Sequence, residues 1–240
     1  MNKPTQLIFP FQINHKASFE SFFCSTDNLN LLTRLADIVI SKNAHELIIH
    51  GEQGSGKSFL MQAICNELNS SGKQFAFMPM NKALNMGVEI FQNLASLDAV
   101  CIDDLQLILA NKNWEMALFN LINECYEKEC FLLLSGSINK FEAIPDLVSR
   151  IKKMETLRLE AINDDELLEA TQAISKNLNI EISDKNMNYL INNSKRDIKT
   201  IFRTLSQLEK ESLERKKSIG LNLIKEAVSY THLRAHETDS

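Results

Sequence analysis

Short apolar runs recur between residues 47 and 159, each closed by a residue that stops a strand. Leu47-Ile48-Ile49-His50 ends at Gly51, Phe75 to Met78 at Pro79, and Ala99-Val100-Cys101-Ile102 at Asp103 and Asp104. Phe131 to Leu134 runs into Ser135-Gly136-Ser137, and Met154 to Leu159 mixes apolar with polar positions as an edge strand does. Between these runs the period changes. Trp114, Ala117, Leu118, Leu121, Ile122 and Cys125 line one face of a helix. Strands alternating with helical segments predict an α/β domain built on a parallel sheet with crossover helices.

Past Glu160 the strand pattern stops. Asn163 followed by Glu166 predicts a capped helix start, and Ser183 predicts a second. Ile198, Ile201, Phe202, Leu205 and Leu208 lay an apolar stripe along a third helix. The chain therefore divides into an α/β domain over residues 19–160 and a small all-helical domain over 161–227. From about Val228 the amphipathic pattern lapses, and the run SYTHLRAHET resembles a translated sequencing adapter. Residues 228–240 are expected to be a non-native tail outside the fold, with the native C-terminus lost beyond about residue 227.

Residues 1–18 form a separate N-terminal tail. Within it, Gln6-Leu7-Ile8-Phe9-Pro10-Phe11 is too short for a domain element, and Pro10 drives Phe9 toward extended backbone. Its Leu and Phe anchors suit docking in an apolar groove of a partner. They equally suit a first strand or an arm packed on its own domain, which composition alone favours.

Gly51-Glu52-Gln53-Gly54-Ser55-Gly56-Lys57-Ser58 fits the phosphate-loop pattern G-x-x-x-x-G-K-[ST] without a mismatch, after a buried strand and at a helix start. Gly51, Gly54 and Gly56, with Ser55 between the last two, let backbone N–H groups turn toward phosphate oxygens, and the helix N-terminus adds partial positive charge. Lys57 would reach the β- and γ-phosphates and Ser58 would ligate Mg2+. Asp103 and Asp104 stand as a Walker B pair: Asp103 to hold Mg2+, Asp104 to orient the attacking water. Two acids also begin ordinary loops, but the complete phosphate loop earlier in the chain favours the functional reading.

Composition narrows the picture. Of 240 residues, 44% are hydrophobic and 24% charged, enough for a core and too ordered a mixture for a disordered chain. Only 7 Gly and 4 Pro argue against a turn-rich all-β fold. The net charge of −5 disfavours a protein whose main work is neutralising phosphate backbones. Five scattered cysteines without a C-x-x-C pair read as core thiols of a reducing cytosol. No apolar run approaches a membrane span and no leader pattern opens the chain, so a cytoplasmic protein without a membrane partner is expected. His15, His45 and His50 have no Ser or Cys at motif spacing, so no nucleophilic triad is predicted.

Taken together, the phosphate loop, the paired acids and the helical domain downstream resemble an AAA+ nucleotide-binding module. The similarity is closest to the family of the replication initiator DnaA, including its short members, over nearly all of residues 1–227. It is carried by QLIFPF, AVCIDD, NWEMALFNLIN, PDLVSRI and KRDIKTIFRTLSQL. The resemblance implies a negative regulator of replication initiation that binds ADP or ATP with Mg2+ and has two protein partners. One is DnaA. The other is the sliding clamp of the replicative polymerase, which Gln6, Leu7, Phe9 and Phe11 would contact, DNA being met only through the clamp. Arg150 matches the arginine finger offered to a neighbour's γ-phosphate and would act on ATP bound to DnaA. Lys199 falls where the family carries its sensor 2 Arg, and Ser137 where sensor 1 is usually Asp or Asn.

Lys lacks the guanidinium fork and Ser is shorter than Asp, so the sensing half of the site is weakened while the binding half is complete. An activator of the DnaA ATPase is therefore expected more than an efficient ATPase. The alternative is an AAA+ helicase loader or DnaA-like initiation factor acting through its own ATPase; a P-loop small-molecule kinase would need a substrate insert. ADP against ATP as working ligand and the oligomeric state stay open.

Overall fold

Continuous apolar runs can be buried on both faces only inside a sheet covered by helices on each side, and the computed structural model has that arrangement. It describes residues 11, 13–40, 46–137, 142–194, 196–215 and 219–237. The chain passes through α1 (Leu29–Ile40), β1 (Glu46–Gly51), α2 (Lys57–Ser70), β2 (Phe75–Pro79), the single turn α3 (Met80–Ala83) and β3 (Ala99–Asp103). It continues through α4 (Lys112–Glu127), β4 (Phe131–Gly136), α5 (Pro145–Ile151) and β5 (Glu155–Leu159). The sheet order is β2-β3-β4-β1-β5, and every pairing is parallel.

Register puts the chemistry at one end. Gly51 ends β1, Asp103 ends β3 opposite Pro79, and Ser135 on β4 lies opposite Ile49. Strands β3 and β4 are buried at every residue, whereas β5 pairs with β1 alone and alternates in exposure, as expected for an edge strand. Pro79 is harmless at the end of the other edge strand, where no further ladder bond is needed. Helix α4 is capped by Asn111, whose side chain accepts from Asn113 and Trp114 N–H. Its foreseen apolar face, Trp114, Leu118, Leu121, Ile122 and Cys125, is buried, with Phe91 edge-on to Trp114 at 5.3 Å.

The chain folds as two units: residues 1–19, 29–53 and 57–159 make the first, and 20–28, 54–56 and 160–240 the second. In the second, α6 (Leu167–Asn177), α7 (Asp184–Asn193) and α8 (Ile198–Arg215) are the three expected helices, and α9 (Leu221–Glu237) is a fourth. Asn163 and Glu166 form a capping box on a short turn before α6, and the Ser183 hydroxyl caps α7. Leu190, Ile201, Leu205, Leu208, Ile224 and Ala227 are fully buried in a common core. Val228 belongs to that core as well, at 6% exposure, and α9 continues to Glu237. Its spacing from Ile224 keeps it on the buried face, although the sequence pattern lapses there.

Phe11 is half-buried and packs against the core of the first unit; Gln6, Leu7 and Phe9 lie outside the described residues. All five cysteines are free thiols, with Cys65, Cys101, Cys125 and Cys130 buried. Among the described residues no helix is long and apolar enough to cross a membrane.

Candidate functional site

The loop between β1 and α2 turns sharply because Gly54 and Gly56 adopt φ values of 89° and 100°, in the left-handed region that glycine tolerates. Space reinforces conformation: a Cβ on Gly56 would fall 3.0 Å from the Phe22 ring, and one on Gly54 would fall 3.3 Å from the Asp197 carboxylate. Ser55 between them is buried. At the start of α2, Lys57 is also buried, and its ammonium donates to the carbonyls of Gly51 at 2.9 Å and Glu52 at 2.6 Å. Burial lowers its pKa, against the pull of the negative charges of Asp103, Asp104 and Glu52. A desolvated ammonium at a helix N-terminus is a standing site for an anion.

Asp103, 3% exposed, is the acid at the centre. Hydroxyls of Ser135, from the adjacent strand β4, and of Ser58, one residue past Lys57, donate to its carboxylate. Burial raises its pKa, and the two hydroxyl bonds oppose the rise. Asp104 turns into the left-handed region, φ 62°. Asn81, in α3, donates to one of its oxygens at 3.2 Å, and Gln106 to the other at 3.0 Å. Gln106 also accepts from the Ser137 N–H at 3.1 Å, so one amide ties the second acid to the chain just past β4.

Sequence reasoning missed Asn81, Gln106 and Ser135. The first two sit in aperiodic stretches, and Ser135 looked like the end of a strand. Of the serines flanking Gly136, it is Ser135 that touches Asp103. Ser58 and Asp103 supply hard oxygen donors in direct contact, a donor set that fits Mg2+ and would hold it beside a bound phosphate. Among the described residues no cluster of three His, Cys, Asp or Glu could hold another metal.

Arg150 stands in the last turn of α5, half-buried. Its guanidinium makes no hydrogen bond or ion pair to another described residue. Glu46, at the start of β1, has a carboxyl pushed up in pKa by burial and drawn down by the Arg150 charge. The helix is set by Pro145 at its first position and by Leu147 and Ile151 buried beneath it. In the second unit, Lys199 is exposed in the first turn of α8, its N–H donating to the Asp197 carboxylate at 3.3 Å. That carboxylate caps the helix through Thr200 N–H at 2.9 Å.

A phosphate loop after the first strand of a β2-β3-β4-β1-β5 parallel sheet, acids ending β3 and an attached helical unit define an AAA+-like P-loop fold. Residues 13–160 match the bacterial DnaA ATPase domain, and the chain belongs to that family. Residues 164–228 match the lid domain of Hda, and the two matches together are consistent with Hda, a DnaA-homologous AAA+ protein. Among solved structures, domain III of Thermotoga maritima DnaA is similar with a TM-score of 0.75 at 17% identity, covering 92% of this chain and 99% of that one. AMPPCP-bound DnaA from Aquifex aeolicus gives 0.66 at 20% identity, over 85% and 69% of the two chains. The Thermotoga maritima RuvB Holliday junction branch migration motor gives 0.61 at 17%, over 90% and 73%. At these identities the likeness is one of fold.

Proposed function

We propose that this protein is a negative regulator of replication initiation: it binds adenine nucleotide and the sliding clamp, and stimulates in trans the hydrolysis of ATP bound to DnaA. Its place of action is the cytoplasm. The observation that carries the reading is the contrast between its two charged sites. Lys57 and Asp103 are buried and hydrogen-bonded to named partners, whereas the Arg150 guanidinium, with the Glu46 charge near it, makes no hydrogen bond or ion pair among the described residues and stands on a short, well-anchored helix. An arginine of that kind can place a planar fork against phosphate oxygens of another protein's nucleotide as charge moves in the transition state. In this chain's own site, Gly51, Gly54, Ser55, Gly56 and Lys57 would bind the phosphates of ADP or ATP, with Ser58 and Asp103 as the Mg2+ ligands. When bound, the ion neutralises charge on the β- and γ-oxygens. Ser137 and Lys199 would complete the nucleotide contacts. The clamp-binding element would be Gln6, Leu7 and Phe9, with Phe11 as its inner anchor.

Arginine fingers contribute about 10³–10⁵ in rate to phosphoryl transfer. Arg150→Ala is expected to fold, bind ADP and associate with the clamp, yet leave ATP on DnaA unhydrolysed in a clamp-loaded assay. Arg150→Lys should be nearly as defective, because one ammonium cannot reproduce bidentate geometry. Wild-type conversion by Arg150→Ala would refute the mechanism. Lys57→Ala should abolish ADP binding in calorimetry, and unchanged ADP affinity would remove the nucleotide site.

The alternative is an initiation factor working through its own ATPase, and the Ser58–Asp103 contact is what favours it. Against it stands Asp104, the group that would orient water, with both oxygens already taken by Asn81 and Gln106. Steady hydrolysis by the isolated protein, lost in Asp104→Asn and kept in Arg150→Ala, would decide for the alternative.

A further inference from the structure

Among the described residues outside the phosphate site, one carboxylate is buried without a cation. Glu115, in the first turn of α4, is 3% exposed, and no Lys or Arg among the described residues pairs with it. Both its oxygens are engaged by backbone: Oε1 accepts from Ala110 N–H at 2.7 Å and Oε2 from Ile144 N–H at 2.9 Å. Such donors satisfy the acceptor oxygens of a carboxylate that burial takes out of water.

The two N–H groups belong to different segments. Ala110 ends the stretch between β3 and α4 and has φ 71°, a left-handed conformation that a residue with a Cβ holds only where its surroundings impose it. Ile144 is the residue that enters α5, followed by Pro145, and it contributes no side-chain cap of its own. Leu147 and Ile151 hold the apolar side of α5 in the core. The Glu115 bond holds its entry.

Taking Arg150 as the finger, we propose that Glu115 is its positioning residue. By clamping Ile144 to the first turn of α4, Glu115 sets where α5 starts and therefore where Arg150, in the last turn, presents its fork. A helix of 7 residues is only about 10 Å long, so a pivot at its entry displaces its far end almost undiminished. The role needs two acceptor oxygens. Gln has one, and its NH2 would be turned against a backbone N–H, donor facing donor.

The test is turnover of DnaA-bound ATP on clamp-loaded DNA with Glu115→Gln, well below its melting temperature so that every molecule is folded. A displacement of about 1 Å in a transition-state group lowers rates by about a hundredfold. Glu115→Gln should therefore lower the maximal rate by about that factor, with the half-saturating concentration and ADP affinity unchanged. Glu115→Asp, which keeps both oxygens on a shorter arm, should recover part of the rate. A merely structural role predicts wild-type turnover per folded molecule, and that result would overturn the proposal. Should Glu115→Gln not fold, as judged by ADP binding, Glu115→Asp supplies the same comparison: a lowered maximal rate at constant half-saturation supports positioning, and a wild-type rate overturns it. Wild-type turnover in Arg150→Ala refutes the finger itself, whereas wild-type turnover in Glu115→Gln beside an inactive Arg150→Ala refutes only the positioning role.

Discussion

Asp103 and Lys57 carry opposite charges into the same buried end of the sheet, and burial works against both. The Asp103 pKa is raised, so the folded protein holds that proton more tightly than the unfolded chain does. Its contribution to stability is complete below the unfolded value and is lost as pH rises through the folded one. Lys57 is depressed, so its contribution is present above the unfolded lysine value and is lost as pH falls through the folded one. Near neutrality the nucleotide-free protein carries both penalties, which a phosphate and a divalent ion would relieve. Asp103→Asn should therefore be as stable as the parent or more so at neutral pH without nucleotide. It should also lose the acid-range slope of stability against pH that the carboxyl contributes. Urea unfolding across pH would measure both, and a neutral-pH loss of several kcal/mol would show that the hydroxyl bonds of Ser58 and Ser135 outweigh the burial.

At the scale of elements, helix ends here are fixed by side-chain caps. Asp197 caps α8 through Thr200 N–H at 2.9 Å and Thr200 Oγ1 at 2.6 Å, and the same carboxylate accepts from Lys199 N–H. Removing such a cap costs about 1 kcal/mol. Asp197→Ala is expected to lower the melting temperature modestly and to free the first turn of α8, which carries Lys199. If Lys199 contacts nucleotide, ADP affinity falls with it; an unchanged affinity would take Lys199 out of the site. Caps at Asn163 and Ser183 were legible because their residue types are read locally. The αL residues Asp104 and Ala110 were not, since neither is glycine, the residue type by which a left-handed position is read from sequence.

For the whole molecule, the N-terminal tail separates packing from recruitment. Phe11 lies against the core of the first unit, so deletion through it removes a packing contact as well as a docking element. A chain beginning at Phe11 should keep its melting temperature and ADP binding while losing clamp association in pulldown. Phe11→Ala in the full chain should cost about 1–2 kcal/mol by lost burial. Undiminished clamp binding by the shortened chain would place the docking element elsewhere.

Local pattern was sufficient for the five strands, the phosphate loop and the division into an α/β domain and a helical one; the AAA+ class came from resemblance to a family. Strand alternation, glycine placement and the Lys-Ser pair are written within a few residues of one another, and the physics behind them is local. The helical unit was legible to the third helix, and its fourth was blurred because its apolar positions fade into the C-terminal run. What tertiary structure alone decided are contacts across the sheet order. Placing β4 between β3 and β1 brings Ser135 to Asp103, and seating α5 against α4 brings Ile144 to Glu115. No spacing rule announces these pairs, because their partners are about 30 residues apart and meet only after the chain has crossed over.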